Sequence, residues 1–274
     1  MPKRAEIDLD GALVVVTGAA SGIGRATAVA FAHAGAKVVV ADIDDVAAKE
    51  AASELAAITP GAAAYSLDVS DHDAFVAFAD AVVAEHGVPH VVVNNAGVGM
   101  TGRFLDTSPA DWEWILGVNL YGVIHGCQAF GPHLVGAGRG QVVNVSSGLG
   151  YIARATEPAY CTTKAAVLHL SACLRGDWAS SGVGVTAICP GVINTPIIDH
   201  TRFLGDRDNT KARSRAQKAF RRGHAPSQVA DAILKAVDRN SPVVPVGAET
   251  WIGWFGQRLL PSRVGGLIAR ADVA

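Results

Sequence analysis

The stretch L-V-V-V-T-G-A-A-S-G-I-G, residues 13–24, decides the fold of this 274-residue chain. Four apolar residues in a row suit a strand buried on both faces, and the following R-A-T-A-V-A-F-A-H-A-G, from Arg25, has the composition of a helix. Three glycines lie between them. Gly18 permits a tight turn, Gly22 lets the backbone approach a pyrophosphate, and Gly24 allows close helix–strand packing, while the unpaired N–H groups of the helix start face the phosphates. Gly18, Ser21, Gly22, Ile23 and Gly24 are therefore candidate contacts for a dinucleotide. A glycine repeat alone is a weak signal; its position between a first strand and a first helix gives it weight.

Outward from this turn the same alternation recurs. K-V-V-V-A-D at 37, A-Y-S-L-D at 64, H-V-V-V-N-N at 90, Q-V-V-N-V-S-S at 141, V-G-V-T-A-I-C-P at 183 and P-V-V-P-V at 242 read as six further strands. The segments between them are long enough for crossover helices. The expected fold is α/β: a Rossmann-type, doubly wound, mostly parallel seven-stranded sheet with helices on both faces, residues 1–274 forming one domain. Ser108, Pro109 and Asp111 read as the capped start of a helix, and Gly182 and Gly184 as the punctuation after the helix that carries Tyr160.

The second strand ends at Asp42, where an acid would accept hydrogen bonds from the adenosine ribose hydroxyls. Neither Ser21 nor Ile43 beside it is basic, so a 2′-phosphate finds no partner and NAD is expected over NADP. Asp44 is free to cap the next helix in its place. Arg25, the nearest basic residue, is expected to point toward phosphate or solvent.

Composition excludes other classes of function. A net charge of −2, a pI near 6.5 and no long basic run give no electrostatic footprint for nucleic acid. The opening M-P-K-R-A-E-I-D-L-D has no apolar stretch behind its basic pair, so it does not read as a secretory signal, and a cytoplasmic protein is expected. Cys127, Cys161, Cys173 and Cys189 show no C-x-x-C spacing and read as reduced, buried thiols. Nine scattered histidines show no ligand spacing, and no metal is expected.

Two segments break the pattern. Residues 195–225 are long and polar, with Lys211, Arg213, Arg215, Lys218, Arg221 and Arg222 in close succession. They suit a solvated helix face and equally a lid over a pocket, and these readings are compatible. The tail from about 248 to 274 contains W-I-G-W-F-G-Q-R-L-L-P-S-R-V-G-G-L-I-A, apolar but too interrupted to span a bilayer. Contact with a membrane surface, a greasy pocket wall and packing against another subunit all fit its composition.

Residues 158–166, P-A-Y-C-T-T-K-A-A, place Tyr160 four residues before Lys164, which in a helix stacks both side chains on one face. Four tyrosines and seven lysines in this chain predict about 0.1 such pairs by chance. Cys161 would be turned about 100° away from that face and reads as structural.

Taken together, Thr17–Gly24, the N-N-A-G of Asn94–Gly97, Ser147 thirteen residues before Tyr160, and Tyr160-x-x-x-Lys164 resemble the single-domain short-chain dehydrogenase/reductase family over nearly the whole chain. The resemblance implies that Asn119, Ser147, Tyr160 and Lys164 are catalytic. It further implies that Asp68 and Val69 lie beside the adenine, Asn95 in the turn beside the cofactor, and Ile193 and Thr195 against the nicotinamide carboxamide. A homotetramer is also implied, which favours subunit packing for the tail. Beyond Thr195 the family diverges, so substrate contacts cannot be carried over. The stretch from S-A-C-L-R at 171 through V-V-P-V also resembles the reductase half of some actinobacterial proteins that join it to a hydrolase; no hydrolase segment is expected in these residues.

The chemistry explains the residue types. Hydride transfer at a carbon must be matched by proton transfer at its oxygen, and a phenol near pKa 10 is a poor base at neutral pH. An ammonium about 5 Å away at an effective dielectric near 20 contributes roughly 3.3 kcal/mol, or about 2.4 pKa units, toward ionising it, before burial opposes the shift. Tyr160 is then the general acid/base, Lys164 its activator and ribose contact, Ser147 the donor to the substrate oxygen, and Asn119 the holder of a relaying water. The expected reaction interconverts a secondary alcohol and a ketone, apolar or lipid-like, with NAD(H). An NADPH-linked carbonyl reductase and a cofactor-binding regulator without turnover are the rival readings.

Overall fold

The computed structural model of the protein describes residues 6–259 and Ala269. Among these, the strands are β1 (Leu13–Thr17), β2 (Lys37–Asp42), β3 (Ala63–Ser66), β4 (Val91–Asn94), β5 (Met100–Thr101), β6 (Gly140–Val145), β7 (Val183–Pro190), β8 (Arg202–Phe203) and β9 (Val243–Val246). Seven of them form one sheet in the spatial order β3-β2-β1-β4-β6-β7-β9, every neighbouring pair parallel, as the apolar runs required. The remaining two, β5 and β8, pair separately.

The side-chain period of two divides the strands between two cores. Val14, Val16, Val38, Val40, Val91 and Val93 face one side, with Phe31 of α1 (Gly22–His33), Leu55 of α2 (Asp45–Ala56) and, across the sheet's far half, Ile233 of the helix at Pro226–Arg239. Val15, Val39, Val92 and Val142 face the other, against Phe75 of α3 (His72–His86) and Phe130 of a helix at Gly122–Ala137. Each fully buried side chain of this size contributes about 1.5–3 kcal/mol, so both faces must be covered, which dictates helices on both.

α4 (Pro109–Leu116) and α5 (Gly122–Ala137) form one run joined by a π-helical stretch, Gly117–Tyr121. α4 starts as its sequence predicts: Asp111 N–H donates to Ser108 Oγ at 3.2 Å and Ser108 N–H to Asp111 Oδ2 at 3.1 Å. α6 (Pro158–Asp177) carries Tyr160 and Lys164. α7 (Thr210–Arg221), α8 (Pro226–Arg239) and α9 (Ala248–Leu259) complete the order. Of the two glycines expected to end α6, Gly182 does so with φ +72°, after a short 3-10 turn. Gly184 instead lies inside β7, where a Cβ would collide with the Gln141 side chain of the neighbouring strand.

In α9, Trp254 packs edge-on against Tyr151 with centroids 5.3 Å apart, while Ile252, Phe255 and Leu259 stay exposed. Beyond Leu259 the tail, with Pro261 and Arg263, lies outside the described residues except for Ala269. Among the described residues no helix is long and apolar enough to cross a membrane.

Strand order reverses beside β1, which has β2 on one side and β4 on the other. The crevice at the carboxyl ends of these strands is where an open α/β sheet admits ligands.

Candidate active site

One cleft of about 1760 Å³ runs along those carboxyl ends, from Asp42 and Asp68 at one end to Ser147, Tyr160 and Lys164 at the other. Small-molecule pockets commonly measure about 300–1,000 Å³, so this one has room for a dinucleotide and a second molecule.

Gly18, with φ +62°, turns the chain out of β1, and a Cβ on Gly24 would collide with the Gly18 carbonyl. The turn is locked from below. Thr17 Oγ1 accepts from the N–H groups of Asn95 at 3.1 Å and Ala96 at 3.2 Å, and Asn95 Nδ2 donates to the Thr17 and Gly18 carbonyls at 2.9 and 3.1 Å. Asn95 thus positions the turn. Ser21 precedes α1 with no hydrogen bond from its side chain to the helix, leaving a hydroxyl and the first N–H groups of α1 open to the cleft together with Ile23. A pyrophosphate fits this cradle, because both the close backbone approach and the unpaired donors are present.

At the far end of β2, Asp42 Oδ2 accepts from Ala20 N–H at 3.0 Å and Oδ1 from Asp44 N–H at 3.2 Å. The carboxylate is anchored to the glycine turn and still lines the cleft, beside an exposed Ile43. Asp44 caps α2 by accepting from Ala47 N–H at 3.0 Å. Arg25 departs from expectation: its guanidinium pairs with Glu54 of α2 and reaches the Ala20 carbonyl at 3.4 Å. Asp68 accepts from Ser70 at 2.9 and 2.7 Å, and the Val69 carbonyl lies 3.0 Å from His125 Nδ1.

The other end is built by α6 and the loop after β6. Ser147 is buried and its Oγ accepts from Leu149 N–H at 3.1 Å. Lys164 is buried, its Nζ donating to the Val145 carbonyl at 3.0 Å and lying 5.8 Å from the centre of the Tyr160 ring. A Cβ built on Gly97 would stand 3.3 Å from Asn119 Oδ1 and 3.4 Å from Lys164 Nζ, so these two polar tips face one small space. Asn119 is fully buried in the π-helical stretch. Its Oδ1 accepts from Val98 N–H at 2.8 Å, and its Nδ2 donates to the Val98 carbonyl at 2.9 Å and to Thr163 Oγ1 at 3.4 Å. The side chain is a clamp with one lone pair to spare. A π-helical step inside an α-helix frequently marks a functional position.

Electrostatics here differ from the simple pair estimate. Burial pushes the Tyr160 phenol well above its ordinary value; a hydrogen bond with Ser147 pulls it down, and Glu157 and Cys161 push it further up. Burial also pushes Lys164 down to about 8, with Cys189 opposing. Desolvation is the largest cause at both groups, and it disfavours the charged form of each.

The cysteines are free thiols, but only Cys127 and Cys189 are buried; Cys161 is half-buried and Cys173 exposed on α6. Among the described residues no group of three or more His, Cys, Asp or Glu could hold a metal.

Ile193 is buried and bridges to His224, while Thr195 sits against Gly22, its Cγ2 3.1 Å from where a Cβ would be. Between them and α8 the 195–225 segment covers the cleft. Sequence reading missed how it is held: Met100 and Thr101 of β5 pair with Arg202 and Phe203 of β8, and Arg202 N–H donates to the Gly99 carbonyl at 3.1 Å and Leu204 N–H to the Thr101 carbonyl at 2.8 Å, tying the segment to the loop after β4. Two-residue strands carry no periodicity to find them by. Also missed were the wall residues Met100, Trp114, Leu149, Ile152 and Phe203, and the Arg154–Glu157 pair at 2.9 Å.

The family model described as short chain dehydrogenase matches residues 12–202. The chain is 49% identical over 255 residues to a "Probable oxidoreductase EphD" of Mycobacterium tuberculosis, a match covering 91% of this chain and 43% of that protein. The chain thus spans less than half the length of that relative. It is 38% identical over 199 residues to a "D-threitol dehydrogenase" of Mycolicibacterium smegmatis, covering 73% of this chain and 76% of that one. A crystal structure of a short-chain dehydrogenase/reductase from Burkholderia phymatum in complex with NAD superposes with a TM-score of 0.85 at 30% identity, covering 98% of each chain.

Proposed function

The chain belongs to the short-chain dehydrogenase family, and from that premise we propose that it is an NAD(H)-dependent oxidoreductase interconverting a secondary alcohol and its ketone on an apolar or lipid-like body. The observation that carries this reading is the single cleft joining an acid-marked glycine turn to Ser147, Tyr160 and Lys164.

In this reading the backbone N–H groups at Ser21, Gly22 and Ile23 take the pyrophosphate, Asp42 the ribose hydroxyls, Asp68 and Val69 the adenine, and Ile193 and Thr195 the carboxamide. When bound, NAD supplies the hydride acceptor and a positive ring charge close to the phenol. Ser147 donates to the substrate oxygen and fixes its direction. Tyr160 takes the alcohol proton in oxidation and returns it in reduction, while Lys164 stabilises the phenolate and bonds the nicotinamide ribose. Asn119 clamps Val98 and holds the wall from which the proton leaves. Such general acid–base catalysis is worth ~10²–10⁴-fold. Met100, Leu149, Ile152 and Phe203 give the substrate's body an apolar wall. The same proposal includes a cytoplasmic homotetramer, for which the exposed Ile252, Phe255 and Leu259 offer apolar surface.

The test is a panel of secondary alcohols incubated with protein and NAD, read as NADH absorbance. Turnover with an apolar alcohol is expected; binding of NAD with no turnover of any alcohol, and none of any ketone with NADH, would leave the cofactor-binding regulator instead.

A further inference from the structure

Helix α7 carries a pattern that alcohol oxidation does not use. Lys211, Arg215 and Lys218 recur at steps of four and three residues and Arg222 follows four later, so the four cations form one stripe along about 16 Å of helix. All four line the cleft. Among the described residues none of the four has an acidic partner, whereas their neighbours are engaged. Arg213 pairs with Asp208 at 2.8 Å and lies 4.7 Å from the Phe203 ring centre; Arg202 pairs with Asp111 at 3.0 Å and lies 3.9 Å from that of Trp114.

The bland account, a solvated helix face, meets two difficulties. Residues 195–225 hold eight Lys and Arg against three Asp, in a chain whose net charge is −2. Cations in the last turn suit the helix dipole, but Lys211 lies in the first turn, where the dipole disfavours it, and no acid there offsets it. In addition Ala212, Ala216 and Ala219 also line the cleft, small residues beside the stripe, with Phe220 near its end. The segment's carboxylates that reach the cleft are Asp199 and Asp206, which leaves positive charge in excess.

We infer that the Lys211–Arg215–Lys218–Arg222 stripe holds an anionic, phosphate-type group on a substrate whose alcohol or ketone lies at Tyr160. The inference rests on the proposed oxidoreductase reading for the position of the reacting carbon. Cations over a cleft concentrate anions within it, and arginine forks match phosphate oxygens two at a time. The apolar lining residues Met100, Leu149 and Ile152 of the same cleft take the rest of the body, so the substrate is amphipathic. A cofactor pyrophosphate is the other source of the same chemistry. It is already served by the glycine turn and the start of α1, and it is too short to span three turns of helix.

Calorimetric titration of inorganic tripolyphosphate into the NAD-saturated protein tests this, with folding followed by circular dichroism. Wild type is expected to bind one tripolyphosphate per chain. Lys211→Gln with Arg215→Gln, and separately Lys218→Gln with Arg222→Gln, should each weaken it by about tenfold or more, the loss of a charge-assisted contact. Arg221→Gln, which removes a cation of the same helix outside this cleft, should leave it nearly unchanged. No binding to wild type, or an equal loss in Arg221→Gln, would overturn the inference in favour of diffuse charge. Displacement of tripolyphosphate by NAD, with NAD affinity reduced in both double variants, would assign the stripe to the cofactor and also overturn it. Tripolyphosphate bound as expected by a protein that turns over no alcohol or ketone would sink the oxidoreductase reading alone.

Discussion

Lys164 Nζ hydrogen-bonds the Val145 carbonyl at 3.0 Å and stands 5.8 Å from the centre of the Tyr160 ring, so the lysine lies near the phenol while one of its three N–H donors is committed to the sheet. Burial disfavours the charged form of each partner.

Tyr160→Phe is therefore expected to abolish turnover, by ~10²–10⁴-fold, while leaving NAD binding nearly intact. It deletes the proton carrier without touching the glycine turn or Asp42. Steady-state rates and NAD titration measure the two effects separately. Retention of more than about a tenth of the rate would remove Tyr160 from the proton step.

The buried ammonium makes a second prediction about stability. Lys164 titrates at about 8 in the folded chain against an ordinary 10.5. Below pH 8 both states hold the proton and the fold bears the full cost of burying the charge. Between pH 8 and 10.5 the unfolded chain binds more protons, so the stability of wild type rises with pH, by at most about 1.4 kcal/mol per unit. Lys164→Met lacks this gain. Urea unfolding of both proteins from pH 7 to 10.5 should show wild type gaining on the variant across that window; a constant difference would mean the lysine is not desolvated.

Cofactor choice rests on Asp42. At about 4 Å and an effective dielectric near 20, each like-charge pair between its carboxylate and a 2′-phosphate costs roughly 4 kcal/mol before screening. Arg25 is engaged by Glu54 and the Ala20 carbonyl. A preference for NAD is expected in kcat/KM, and Asp42→Ala with Ile43→Arg should shift it toward NADP by removing a repulsion and adding a cation. An unchanged preference in the double variant would mean that Asp42 does not face the ribose.

The segment 195–225 is expected to close over bound ligands. It is joined to the body at Ile193–His224 and through β5 and β8, while α7 between these anchors has no buried residue. Limited proteolysis within α7 should slow when NAD and an alcohol are added. Equal cleavage rates would argue for a fixed cover.

Much of this protein was legible before its structure. Unbroken apolar runs such as Val14–Val16 and Val91–Val93 become buried strands because only a sheet covered on both faces can hide them. The spacing of Gly18, Gly22 and Gly24, the cap at Ser108 and the stacking of Tyr160 on Lys164 are encoded by neighbours a few residues apart, and short-range geometry needs nothing else. Tertiary structure alone decided the rest. It turned Arg25 onto Glu54, put Asn119 in a π-helical stretch bonded to Val98, tied residues 195–225 down through two-residue strands, and set the balance at Tyr160 in favour of burial. Each of these depends on which distant segments meet and how much water they exclude, and neither pairing across more than twenty residues nor desolvation leaves a local period in the chain.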